Sequence, residues 1–356
     1  MYDDILKRIS ELNKTEEFLF HKELFNYDQG FPLYILIKAA SNKGRDYFIK
    51  SMREDEKKWF LEKLNETEPS KPEEVSEALK IILKILDDLP ELVKGMEIKE
   101  KNIQENIIKN RQFMKAAFQK DSGMSDQMRG IPNPPLEKPA GDSTGLIELG
   151  DPNEVKIINE NIRDLIKYRR SRRKFSDEKL SVEELSYLLW ATQGIEKLLN
   201  DNKVSLRTVP SAGARHPFET YLAVLNVEDL KTGIYRYLPV EHKLVFIKEV
   251  FDLKKKIKHA SFGQNFVGDS AVTFIWSCVP YRGEWRYPLT GHKVMLIDIG
   301  HVCQNLYLAC ESINCGTCAI GAYSQNEFDS ILELDGENEF VVYLAPVGKL
   351  NRKTIE

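Results

Sequence analysis

The first 277 residues of this 356-residue chain hold no cysteine. The five that follow, Cys278, Cys303, Cys310, Cys315 and Cys318, are an odd number. A disulfide framework is therefore not what organises the fold. Several signatures of common chemistry are missing too. No G-x-G-x-x-G follows a strand-like run and no G-x-x-x-x-G-K-[ST] occurs, so Rossmann and P-loop nucleotide binding lack sequence support. No H-E-x-x-H offers paired zinc ligands, and His216, His292 and His301 are scattered, as hydrogen-bonding or packing residues are. Charge of one sign is scarce: 51 basic against 55 acidic residues leave a net charge of −4, which gives no global pull toward nucleic acid or acidic membranes. The longest apolar run of the N-terminal part, Phe31 to Ile37, is far below the roughly 18 residues of a membrane span. Asp3, Asp4, Glu11, Glu16 and Glu17 make residues 1–20 unlike a signal peptide. The expectation is a cytoplasmic protein with no membrane or nucleic-acid partner and no metal.

What is present divides in three. Residues 1–120 show helical periodicity and no cluster of chemically capable side chains. Their clearest helix, Ser70 to Val93, opens with capping-box spacing (Ser70, Glu73) and carries Val75, Ala78, Leu79, Ile82, Ile85, Leu86, Leu89 and Val93 on one stripe. Charged helical stretches lie near 53–65 and 100–119. Residues 121–152 read as a connector, because RGIPNPPLEKPAGDSTG (129–145) holds four prolines and three glycines. Part of it can instead wrap against the following domain or a partner.

Residues 153–356 read as α+β, since helices and strands do not alternate regularly. A helix from Ile157 to Ile166 leads into a basic run. A second starts at Ser181, with Glu184 three residues on, and stops at Gly194. Strands are expected at 219–225, 233–238, 243–247, 272–278 and 340–345, the second and third forming a hairpin. A helix at 294–313 carries Ile299, Val302, Cys303, Leu306, Cys310 and Ile313 on one stripe.

Four stretches of this part carry chemistry. RRSRRKF (169–175) packs four arginines and a lysine into six positions, which suits a phosphate held by guanidinium forks and the Ser171 hydroxyl. A solvated basic face and a nucleic-acid patch are the other readings. RTVPSAGARHPFETY (207–221) sets small residues at Ser211, Ala212, Gly213 and Ala214, where main chain can lie against a flat ligand. YRGEWRYPLTGHK (281–293), leaving a strand, gathers aromatic and cationic residues able to line a pocket, or to sit as a surface loop. Cys310, Cys315 and Cys318 match part of an iron–sulfur spacing but lack the fourth cysteine, and Cys303 and Cys310 fall on an apolar stripe.

Together RRSRRKF, LSVEELSYLLWATQGI (180–195), RTVPSAGARHPFETY, DIGHVCQNLYLACESINCGTCAIGAY (298–323) and APVGK (345–349) resemble the FMN-dependent nitroreductase superfamily. Within it they resemble the SagB-type dehydrogenase branch, whose segment before the catalytic domain is similar to SDQMRGIPNPPLEKP (125–139). The resemblance implies a nitroreductase-like α+β sheet flanked by helices, a homodimer, and FMN at the subunit interface. It implies that Arg169, Ser171 and Arg173 hold the FMN phosphate and ribityl chain, and that Ser211, Ala212, Gly213 and Arg215 lie along the ring. Gly316 and Thr317 would add backbone contacts, and Lys349 a cation near the phosphate. The implied reaction is two-electron hydride transfer through flavin N5, with NAD(P)H or the substrate as reductant, on a small molecule or modified peptide. Azoline dehydrogenases of this branch use a Lys-Tyr pair where this chain has Arg286-Tyr287. Arginine stays protonated and is a poor base, which counts against azole formation but not against flavin binding. The alternative is an inactive scaffold or peptide-binding partner of a modification complex.

Overall fold

The computed structural model describes residues 2–27, 58, 62, 72–115, 123–141 and 145–351. The chain forms two compact units, Met1–Met114 and Lys115–Glu356. In the first, α1 (Tyr2–Ser10) and α2 (Lys14–Asn26) pack on α3 (Pro72–Phe113). Asn13 caps α2 by accepting the N–H groups of Thr15 and Glu16 at 3.0 and 3.1 Å, and the Glu16 carboxylate accepts that of Asn13. Ala78, Ile82, Ile85, Leu86 and Leu89 bury one stripe of α3 against Ile5, Ile9, Leu19, Phe20 and Leu24. The helix does not stop near Val93 but runs past Pro90 to Phe113, joining the stretch expected separately at 100–119. Residues 97–113 contain no glycine or proline to interrupt it. Ser70, the 31–37 run and most of 53–65 lie outside the described residues.

The second unit is an α+β sandwich around a seven-stranded antiparallel sheet in the order β1-β6-β5-β4-β7-β9-β8. Its strands are β1 (Leu146–Glu148), β4 (Phe218–Val224), β5 (Gly233–Leu238), β6 (Lys243–Lys248), β7 (Val272–Cys278), β8 (Cys315–Thr317) and β9 (Phe340–Lys349). A separate hairpin joins β2 (Ile195–Leu199) to β3 (Val204–Arg207). The helices are α4 (Ile162–Tyr168), α5 (Val182–Gln193), α6 (Leu253–Ala260), α7 (Asn265–Gly268), α8 (Tyr281–Glu284), α9 (Gly291–Ser312) and α10 (Gln325–Leu332).

Alternation along the strands divides the core into two faces. Leu222, Val224, Phe274 and Trp276 pack against Leu185, Leu188 and Leu189 of α5 and Ile299, Val302 and Leu306 of α9. Tyr221, Ala223 and Ile275 pack against Leu253 and Ile257 of α6 and Phe328 and Leu332 of α10. Because both faces are covered, every residue of β4, β5 and β7 is buried, the polar Glu219, Arg236 and Ser277 included.

Local signals hold well at α5. Ser181 and Glu184 form a reciprocal capping box at 3.0 and 3.2 Å, and Gly194 closes the helix. The helix expected from Ile157 begins only at Ile162, where Asn161 caps it. Ile158 before it donates its N–H to the Ser312 carbonyl at 2.8 Å. Among the described residues, no helix is long and apolar enough to cross a membrane.

Candidate functional site

The basic run is extended after α4, and Ser171 forms a bridge with Thr317 while Arg172 N–H donates to the Thr317 carbonyl at 2.9 Å. Extended backbone sends alternate side chains to opposite sides. On one side Arg172 lies 3.5 Å from Glu311, which also accepts the Arg170 N–H, and Arg170 reaches the carbonyls of Lys167 and Arg169. On the other side stand Arg169, Ser171 and Arg173. Arg169 lies over the Tyr307 ring at 5.2 Å, Arg173 over Phe266 at 5.7 Å, and Ser171 Oγ sits 3.1 Å from the Tyr307 hydroxyl. That hydroxyl also accepts the Ala319 N–H at 2.8 Å. Neither Arg169 nor Arg173 has an ion pair among the described residues. The cluster thus holds two uncompensated guanidiniums beside a hydroxyl, and the Thr317 Oγ1, fully buried, has no partner. A phosphate ester matches that donor set.

Gly316 serves this cluster by being small: a Cβ there would stand 2.6 Å from the Arg172 Cβ. Cys318 is next to it. Burial pushes its thiol up, while the Arg173 charge and hydrogen bonds with Ser171, Arg173 and Tyr307 hold it back. Lys349 does not join the cluster: its ammonium is paired with Glu184, the capping carboxylate of α5.

A second cluster forms where the loop before β4 meets α8. Asp298 on α9, almost wholly buried, accepts the Ser211 hydroxyl at 2.6 Å and the Ala212 N–H at 3.1 Å. Burial raises its carboxyl, and those two hydrogen bonds hold it back. Ser211 Oγ in turn accepts the His216 N–H at 2.9 Å. Gly213 adopts φ +61, and its missing Cβ would lie 2.8 Å from the Tyr287 hydroxyl and 3.0 Å from the Arg286 Cδ. The small-residue loop and the Arg286-Tyr287 pair, 73 positions apart, therefore face each other. Arg215 is buried, donates to the Gly213 carbonyl at 3.0 Å and to Asn133 Oδ1, and stacks on Trp285 at 5.0 Å. Its environment lowers its pKa, through burial first and then the Arg286 charge. His216 is buried and held neutral, its pKa lowered to about 3 by burial and by Arg207.

The proline-rich stretch fastens this cluster. Residues 123–141 run along the second unit as a strap. Gln127 N–H donates to the Trp285 carbonyl and Trp285 Nε1 to the Ile131 carbonyl, both at 3.0 Å. Tyr281 donates to Asp126 at 2.9 Å. Asn133 Nδ2 reaches the Lys203 carbonyl, and Arg207 donates to that of Leu136. Lys138 pairs with Glu339, and its N–H donates to Glu219 at 2.8 Å, the carboxylate that also takes Arg282. Trp285, which belongs to the aromatic stretch 281–293, and Asp298, Tyr307 and Asn133, which were not among the sequence candidates, organise the two clusters. Asp298 and Tyr307 stand inside the DIGHVCQNLYL motif, the one signal that marks them.

The two clusters sit on different faces of α9. Asp298 and Tyr307 are nine residues apart, about 14 Å along the axis and about two and a half turns round it.

These features belong to a family of oxidoreductases. The profile of the Nitroreductase family matches residues 166–349, and the chain is a member of that family. It is 32% identical over 203 residues to MJ1384 of Methanocaldococcus jannaschii, a protein named as a nitroreductase, spanning 57% of this chain and 96% of that one. It is 29% identical over 133 residues to the trifolitoxin-processing protein TfxB of Rhizobium leguminosarum bv. trifolii, covering 36% of each. In fold it is similar to the crystal structure of a nitroreductase from Anabaena variabilis. The TM-score is 0.51 at 23% identity, over 67% of this chain and 45% of that one.

Proposed function

We propose that the protein is an FMN-dependent oxidoreductase of the SagB-type branch, active as a homodimer. The observation that carries this reading is the alternation of RRSRRKF, which sets Arg169, Ser171 and Arg173 around Tyr307 with no carboxylate against the guanidiniums. Those side chains would hold the FMN phosphate, with Thr317 adding a hydroxyl. Ser211, Ala212 and Gly213, kept in place by Asp298, would form the surface against the flat ring. Bound FMN supplies the two-electron chemistry. Tyr287 holds a proton at its hydroxyl beside Gly213, and Arg286 supplies a fixed positive charge there.

The position of the clusters on different faces of α9 supports the homodimer, because a second copy can bring its ring platform to the first copy's phosphate cluster. Leu296 and Ile297 on α9 and Ile162 and Ile166 on α4 are exposed apolar side chains suited to that contact. The name of TfxB supports a peptide-modifying setting; Arg286 in place of lysine argues against azoline dehydrogenation as the particular reaction.

An absorbance spectrum of the purified protein from 300 to 550 nm, before and after anaerobic NADPH, tests the proposal. Flavin bands are expected. Bleaching by NADPH would give the reductant, and unbleached bands would indicate reduction by the substrate. A protein that is colourless, and stays so after FMN is added, would replace this reading with that of a scaffold. Tyr287→Phe is expected to keep FMN and slow turnover about tenfold or more; equal rates would remove Tyr287 from the chemistry.

A further inference from the structure

Two guanidinium groups meet at Gly213 without a counter-charge. Arg215 is 7% exposed, and its acceptors are neutral: the Gly213 carbonyl and Asn133 Oδ1. Arg286 is exposed and lies 5.4 Å over the Tyr287 ring, with no hydrogen bond or ion pair among the described residues. Every carboxylate these segments bring near is engaged elsewhere. Asp298 holds Ser211 and Ala212, Glu284 holds His292, Glu219 holds Arg282, and Asp126 holds Tyr281 and Arg129. Neutral acceptors fix the direction of a buried guanidinium but do not cancel its charge, and an uncancelled buried charge is costly. An arriving anion would offset that cost.

We propose that Arg286, backed by the fixed charge of Arg215, receives a carboxylate of the substrate, so that the enzyme selects carboxylate-bearing compounds over their neutral amides. The assignment rests on the flavin-site reading of the Gly213 loop, and it names the substrate class of that site. A guanidinium fork matches a planar carboxylate with two parallel hydrogen bonds. Arg286 is the contacting group because it is exposed and uncommitted. Arg215 is a positioning charge, held still by Asn133 and Trp285. The Tyr287 hydroxyl, on the other side of the Gly213 Cβ position, would then stand next to whatever the carboxylate anchors.

The test is calorimetric titration of the holoprotein with benzoate and with benzamide, a near-isosteric neutral probe, with FMN content read from absorbance in every sample. Benzoate is expected to bind about tenfold or more tighter than benzamide. Arg286→Gln should erase that preference while FMN content stays at the parent level, and Arg286→Lys should keep part of it. Equal binding of the two probes by the parent, or a preference that survives Arg286→Gln, would overturn the proposal. So would inorganic phosphate displacing benzoate at equal concentration, which would assign the pair to a phosphate ester instead. A parent that holds no flavin would overturn the flavin reading, while the same benzoate comparison on that protein would still decide the arginine pair.

Discussion

At Gly213 two constraints coincide: a left-handed backbone and no room for a Cβ beneath Tyr287. Gly213→Ala is expected to cost about 1–2 kcal/mol from the backbone alone, more once the Tyr287 hydroxyl is displaced, as urea unfolding would show. The phosphate cluster gives a sharper expectation. Arg169→Ala with Arg173→Ala should weaken FMN retention at least about tenfold, and unchanged occupancy after gel filtration would remove the cluster from cofactor binding. His216 sets a pH dependence. Its folded pKa of about 3 lies below the ordinary 6.5, so its contribution to stability is complete above pH 6.5 and is lost as pH falls from there toward 3. Each pH unit in that window should remove up to about 1.4 kcal/mol on its account. His216→Asn, which tolerates the residue's φ of +43, should flatten the acid side of the urea-midpoint profile; parallel profiles would refute the assignment. At this scale the sequence named side chains that the fold gathers into two clusters: Arg169, Ser171 and Arg173 in one, Gly213, Arg286 and Tyr287 in the other. It marked Asp298 and Tyr307 only by their place in the DIGHVCQNLYL motif, because their work depends on which loop the fold lays against α9. Lys349, expected near the phosphate, has its ammonium on Glu184, 165 positions away.

At the scale of elements, legibility followed locality. Helix α5 carries its start and stop signals within 14 residues, and β4, β5 and β7 are mostly apolar because both their faces are covered. Strands β1 and β8 are three residues long and owe their form to the neighbour they pair with. Helix α6, LKKKIKHA, shows only two large apolar residues. The strap was readable as extended backbone from its prolines, but its binding face depends on Glu219, Trp285 and Glu339, far along the chain. The buried Glu219–Arg282 pair beneath it can be measured against a surface pair. Glu219→Gln, which leaves the buried Arg282 without its carboxylate, should cost about 3 kcal/mol or more. Lys243→Ala, which removes an ion pair with the exposed Glu148, should cost under about 1 kcal/mol. Similar urea midpoints for the two variants would mean that the buried Glu219–Arg282 pair contributes little.

For the whole molecule, the shared-site proposal ties assembly to cofactor. Gly300 lies on the exposed face of α9, with nothing within 4 Å of its Cβ position. Gly300→Arg is expected to convert a dimer to a monomer by sedimentation and to lose FMN in step. A monomer that keeps its full flavin content would show that one chain suffices. The strap also has a consequence in time. Synthesis runs from the N-terminus, so residues 123–141 emerge before any strand from β4 onward, and Lys138 must wait 201 positions for Glu339. Closing so long a loop cannot lead folding; it follows once β9 has joined β7. The Lys138 end of the strap thereby completes its contacts late although it is made early, and a protease that cuts near Lys138 would report whether the far end of the chain is in place.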